Sequence, residues 1–205
     1  MRNVLAIIAH PDDLELMAGG TVIKWIGLGI NIYVICMTDG GMNLPSGKVY
    51  RSSIDAAAEA LASSKSIGFV YRSLGLKNLY LQYDDSIIVE ILSDVAKYNI
   101  DTIMCPHEGD LNHDHQVTAR LALAASRRVP NVLMGQINYF LRDFFVPNVF
   151  VDISETWEKK IEACMIYKSQ WRQDWYEFLN ATTTYYGKII GVERAEGFYS
   201  PKFLL

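Results

Sequence analysis

The chain has 205 residues, half of them hydrophobic, with 19 lysines and arginines against 23 aspartates and glutamates, giving a formal net charge of −4. This is a globular composition, long enough to bury one substantial core, and it offers no basic stripe for a nucleic-acid backbone or an anionic membrane surface. No stretch reaches the roughly 18 consecutive apolar residues of a membrane span, so small molecules are the expected partners and one domain over residues 1–205 the expected organisation.

Residues 4–8 form a short, β-rich apolar run and read as a strand, which passes straight into "AHPDDLELMAGG" at 9–20. Residues 21–28 carry apolar side chains at helical spacing until Gly29 stops them. The alternation continues with a strand at 31–37, helices at 52–67 and 86–98, a strand at 101–105 and a helix at 114–128. After Pro130 come two β-like runs, 131–140 and 148–153, then a helix over 154–169 with Ser154 as its cap. Residues 170–205 are rich in aromatic rings and have no clear period; a subunit contact or core packing suits them best, so a homo-oligomer is expected.

Apolar strands alternating with helices predict a doubly wound α/β fold, its mostly parallel sheet covered by helices on both faces. The N-terminal run is too short for a secretory leader. Three separated cysteines, Cys36, Cys105 and Cys164, form no CxxC pair, which suits reduced thiols in a cytoplasmic protein.

The chemistry concentrates in two loops. All four histidines, His10, His107, His113 and His115, lie after the first strand or within "PHEGDLNHDH" at 106–115. If both strands are central and parallel, both loops open on the carboxyl edge of the sheet, where ligands bind in such folds. Two imidazoles and a carboxylate converging there are the ingredients of a metal site with positions left open for water and substrate. His10 and Asp13 could be aimed at one point by a tight turn, with His115 arriving from the second loop and Asp12 left beside the metal. The competing reading makes "HPDD" an ordinary capped turn and Asp114 a helix cap.

"AHPDDLELMAGGT" resembles the signature of the LmbE/PIG-L family of metal-dependent N-deacetylases, and "GDLNHDH" resembles its second motif. "TDGG" (38–41), "VPNVFVDIS" (146–154) and "YKSQ" (167–170) extend the likeness over most of the chain. The resemblance implies a Rossmann-like domain, a divalent metal, usually zinc, and hydrolysis of the acetamide of an amino sugar. It assigns His10, Asp13 and His115 as ligands and Asp12 as general base; Fe2+ would suit the same donors.

The chain departs from the family at two places. Asn112 stands where many members have an assisting histidine, and an amide can donate a hydrogen bond to an oxyanion but cannot shuttle a proton. Ala56 falls where the family has an arginine three residues before a glutamate, here Glu59; Arg51 is out of register and is expected to be at most a substrate contact. His107, His113 and Asp39 are further candidate substrate contacts, and Asp114 a carboxylate that orients its neighbours near the reaction. Glu15 should hold the first loop by a hydrogen bond, and Gly19 and Gly20 should allow close packing of helix on strand. The rival functions are an amidase of a thiol–sugar conjugate, acting on a bulkier acyl group, and a non-catalytic sugar or nucleotide binder.

Overall fold

The computed structural model describes residues 1–43, 46–142 and 144–204. Its first half runs β1 (Asn3–Ile8), α1 (Asp13–Gly27), β2 (Asn31–Thr38), the short β3 (Met42–Asn43) and β4 (Val49–Arg51), α2 (Ser53–Ile67), β5 (Val70–Leu76) and α3 (Asp85–Lys97). The second half runs β6 (Thr102–Pro106), α4 (His113–Ala125), a 3-10 turn at Ser126–Arg128, β7 (Asn131–Gly135), β8 (Val149–Asp152), α5 (Trp157–Met165), α6 (Gln173–Ile190) and β9 (Ala195–Lys202). No helix among the described residues is long and apolar enough to cross a membrane.

Successive side chains of a strand point to opposite faces, and the buried run in β1 therefore feeds two cores. Val4, Ala6 and Ile8 pack with α1 and α5, while Leu5 and Ile7 join Ile103 and residues of α3 and α4 on the other face. The sheet order is β5-β2-β1-β6-β7-β9-β8. The first five strands are parallel, and β9 runs antiparallel between β7 and β8. The chain winds outward from β1 to β5, then returns to β6 and winds the other way, so the order reverses between β1 and β6. That crevice is where an open α/β sheet binds its ligand.

Several expectations need correction. The first helix begins at Asp13, before the predicted 21, and is broken at Ala18, whose φ and ψ are −147° and 18°. The run at 131–140 ends as a strand at Gly135, where a Cβ would lie 2.2 Å from Met17 Cγ. Ser154 does not cap α5, because its hydroxyl goes to Asp152 Oδ1 at 2.6 Å and the helix starts only at Trp157. The strand β5 had no sequence expectation: it is an edge strand with Arg72, Ser73 and Gly75 among its residues. The tail resolves into α6 and β9, and Trp171, Trp175, Tyr176 and Phe178 pack against the core.

The break in α1 has its own partners. Lys160 Nζ, which is buried, donates to the Leu16 carbonyl at 2.8 Å and to Glu196 Oε1 at 2.5 Å. The Glu196 carboxylate accepts from the amides of Gly20 at 3.1 Å and Thr21 at 2.7 Å, the start of the second helical segment, where a negative charge is favourable. The Gly19–Gly20 pair lets this happen: a Cβ on Gly20 would sit 2.9 Å from Ile153, and one on Gly19 3.2 Å from Lys160 Cγ.

Removing one member of this pair leaves a buried charge without its counter-ion. Lys160→Met should therefore cost about 3–5 kcal/mol in urea unfolding, and adding Glu196→Gln should recover part of the loss; equal stability of Lys160→Met and wild type would contradict this account.

Candidate metal centre and catalytic cleft

Because β1 and β6 are neighbours, the loops that follow them meet. His10 Nδ1, Asp13 Oδ1 and His115 Nε2 form a triangle with sides of 3.1, 3.5 and 3.2 Å. A point roughly 2 Å from all three atoms exists, the distance at which zinc takes nitrogen and carboxylate ligands. Asp13 carries both roles that the sequence left open. Its Oδ2 accepts from the amides of Ala9 at 3.0 Å and His10 at 2.8 Å and closes the turn, which leaves Oδ1 for the two imidazoles.

The outer nitrogens of both rings are engaged. His115 Nδ1 lies 2.8 Å from Asp110 Oδ2, and His10 Nε2 lies 3.0 Å from Asn78 Oδ1 and 3.4 Å from Asp114 Oδ2. These partners accept hydrogen bonds, so each ring donates outward and turns a lone pair inward. Two imidazole lone pairs 3.1 Å apart beside a carboxylate repel unless a cation lies between them. The donor set thus fits a divalent metal, or a proton in its place. Burial alone would lower both imidazole pKa values, but Asp13 and the neighbouring carboxylates outweigh it, pushing His10 up to about 10 and His115 up to about 9. The Asp13 carboxyl is held well below the usual carboxylate range, its burial being overcome by the positive charge it shares with His115 and His10.

Asp12 occupies the N-cap position of α1 but makes no capping hydrogen bond. Its carboxylate faces a cleft of about 400 Å³ shared with the triad, Arg51 and Asn112. Burial raises its pKa, against the opposing charge of Arg51. Arg51, out of register in the sequence, reaches the site from β4: Nη1 lies 3.5 Å from Asp12 Oδ1 and Nη2 donates to Glu59 Oε2 at 3.0 Å. Glu59 also accepts from the Ser169 amide at 2.9 Å and hydroxyl at 2.6 Å, so the guanidinium is held from behind. Glu15 accepts from Ser63 and, at 3.1 Å, from Tyr167, whose hydroxyl is also 2.7 Å from the Pro11 carbonyl. Burial pushes the Glu15 carboxyl up to about 8.

The cap of α4 is Asn112, whose Oδ1 accepts from the amides of Asp114 at 2.8 Å and His115 at 3.3 Å. That fixes the amide plane and leaves Nδ2 for the cleft. Asp114 instead accepts from the amides of Leu79 at 2.7 Å and Leu81 at 3.3 Å, bracing the segment that carries Asn78 against His10. The structure does not bring His113, His107 or Asp39 to this cleft. His113 Nε2 lies 2.7 Å from the Leu81 carbonyl, and His107 accepts from the Gly109 amide at 3.1 Å while packing edge-on against Phe145 and Tyr199. Asp39 accepts from the Gly41 amide at 2.9 Å and lines an adjoining hollow. Beside it Gly40 has φ +68°, and a Cβ there would lie 2.8 Å from Pro11.

Sequence reasoning missed Asn78, Asp110 and Asn138, the last donating to Asp110 Oδ2 at 3.2 Å. Asp110 was within reach, five residues before a candidate ligand in a loop already singled out; the loops holding Asn78 and Asn138 carry no local signal.

Residues 5–126 match the model of a family described as PIG-L: GlcNAc-PI de-N-acetylase. The chain is 28% identical over 224 residues to a diacetylchitobiose deacetylase of Thermococcus kodakarensis, covering 96% of this chain and 82% of that one. It is 26% identical to a probable N-acetyl-alpha-D-glucosaminyl L-malate deacetylase 2 of Bacillus cereus, covering 82% and 84% of the two chains. Among solved structures, an N,N'-diacetylchitobiose deacetylase of Pyrococcus horikoshii in complex with an inhibitor superposes with a TM-score of 0.83 at 25% identity, covering 98% and 84%.

A metal must displace the protons that the triad holds at neutral pH. Raised folded-state values mean that this protonation stabilises the metal-free protein fully below the unfolded histidine pKa near 6.5, an effect lost as pH rises through about 9 to 10. Zinc affinity should accordingly rise by about tenfold per pH unit for each proton displaced between pH 6.5 and 8.5. Calorimetry in buffers of different ionisation enthalpy should show net proton release; pH-independent affinity would exclude the proton-bridged triad. Asp110→Asn should weaken zinc binding by about 10–100-fold in the same measurement.

Proposed function

The chain belongs to the PIG-L family of de-N-acetylases, and we propose that it is a metal-dependent N-deacetylase acting on an N-acetylated amino sugar or a conjugate of one. The observation that carries this reading is the triangle of His10 Nδ1, Asp13 Oδ1 and His115 Nε2 with the uncapped carboxylate of Asp12 in the same cleft. The named activities of the relatives support the reaction class. Zinc is the proposed metal, with Fe2+ or another divalent ion satisfied by the same donors. We propose further that residues 1–205 act as one domain, since the ligands come from both windings of a single sheet. A cytoplasmic setting is supported by the buried free thiols of Cys36, Cys105 and Cys164.

His10, Asp13 and His115 would hold a divalent cation, which would supply Lewis acidity, lowering the pKa of water toward ~7 and polarising an amide carbonyl. The Asp12 carboxylate takes the proton that the attacking water loses, a task suited to a carboxyl whose proton affinity is raised by burial. Arg51 keeps that carboxylate oriented. Asn112 Nδ2 donates to the carbonyl oxygen as it gains charge but moves no proton. When the C–N bond breaks, the water oxygen leaves in acetate and Asp12 returns its proton to the amine nitrogen.

Acetate release from a panel of acetamido sugars should require metal and stop with chelator. Asp12→Asn should lower kcat by about 10²–10⁴-fold with metal retained, whereas His115→Ala should lose the metal. Stoichiometric metal with no turnover on any N-acylated sugar would favour the non-catalytic binder, and normal turnover by Asp12→Asn would remove it as the base.

A further inference from the structure

Next to Asp12 lies a niche of about 10 Å³, walled by Leu16, Cys164, Tyr167, Gln170, Trp171 and Trp175. Asp12, Leu16, Gln170 and Trp175 also line the main cleft, so the two spaces adjoin along these side chains. The niche is mostly apolar, Asp12 and Gln170 being its polar walls, and its volume is that of about one water-sized group. Its walls are held. Leu16, Cys164 and Tyr167 are buried; Tyr167 is tied through its hydroxyl to Pro11 and Glu15, and the Trp171 amide donates to the Tyr167 carbonyl at 2.8 Å. Trp175 lines the niche from α6, its ring beneath the Arg172 guanidinium at 5.9 Å.

An amide attacked with help from Asp12 must bring its carbonyl carbon beside that carboxylate, and the acyl methyl is one bond further on. We infer that this niche receives the acyl methyl and restricts the enzyme to acetyl groups, with Cys164 and Trp175 among the walls that a longer chain would meet. The inference rests on the N-deacetylase reading and deepens it. It assigns acyl-length selection to the aromatic C-terminal segment, and it opposes the rival in which the same chemistry acts on a bulkier acyl group. A packed apolar wall discriminates by roughly 10–200-fold per methylene, so a few atoms suffice.

The test uses metal-loaded full-length protein and glucosamine N-acylated with acetyl, propionyl, butanoyl and hexanoyl groups. Wild type should lose at least about tenfold in kcat/KM from acetyl to butanoyl, and Trp175→Ala should raise the butanoyl-to-acetyl ratio by at least about tenfold. Trp175→Leu is the gentler variant should the alanine fail to fold. Calorimetric binding of acetohydroxamate and butanohydroxamate gives a readout independent of turnover: acetohydroxamate should bind about tenfold or more tightly to wild type, with the gap narrowed in either variant. Equal rates across the acyl series, or equal hydroxamate affinities, would overturn the niche assignment while leaving the deacetylase reading intact. If none of the four is turned over, the hydroxamate comparison decides the niche by itself, and the deacetylase reading is judged on the wider panel of acetamido sugars.

Discussion

Two imidazole lone pairs and a carboxylate oxygen brought within 3.1–3.5 Å of one another in a largely buried crevice need positive charge among them. That electrostatic requirement organises the rest of the structure. The sheet reverses its winding between β1 and β6, which puts the two histidine-bearing loops side by side. Asp110, Asn78 and Asp114 then hold each ring by its outer nitrogen, so neither ring can rotate to relieve the repulsion. The cost of crowding these groups is offset by the folded sheet, and the result is a site already shaped for a divalent cation.

The same division of labour recurs one layer out. The segment Asp13–Met17 carries a ligand and is separated from the remainder of α1 by the break at Ala18. A continuous helix would fix the direction of its first turn by that of its last. The break frees the two, and the Lys160–Glu196 pair fills the hydrogen bonds lost there. Thr156 adds a bond to the Gly20 carbonyl at 2.9 Å. Two segments far along the chain, around 156–160 and at 196, thereby set the orientation of the ligand-bearing turn.

What the sequence made legible was local. His10 and Asp13 are three residues apart, so one tight turn determines their relation, and the alternation of apolar strands with helices made the doubly wound sheet readable. Partners chosen by the fold at long range could not be read. Arg51 was judged by its distance along a helix from Glu59, yet it belongs to β4 and meets Glu59 across space. Glu196 sits in a strand containing Gly197 and Pro201 and gives no sign that it caps a helix 175 residues earlier. β5 is an edge strand with polar and charged residues, so it lacks the apolar run by which buried strands are recognised.

The asparagine at 112 shows how a departure from a family pattern can be structural and chemical at once. An imidazole at a helix N-cap accepts poorly from two amides, whereas the Asn112 carbonyl oxygen takes both Asp114 and His115 amides and thereby fixes the turn that aims His115. The same two bonds turn Nδ2 toward the cleft, giving a neutral donor with no proton to exchange. In the proposed reaction proton transfer then falls to Asp12 alone, which must accept from water and return to the amine within one turnover. A carboxylate beside Arg51 alone would be too acidic to do both well; partial burial and the adjacent Asp13 charge raise its proton affinity against Arg51's pull. The guanidinium thus serves orientation at some cost in basicity, and the crowded negative charge that suits the site to a cation also restores it.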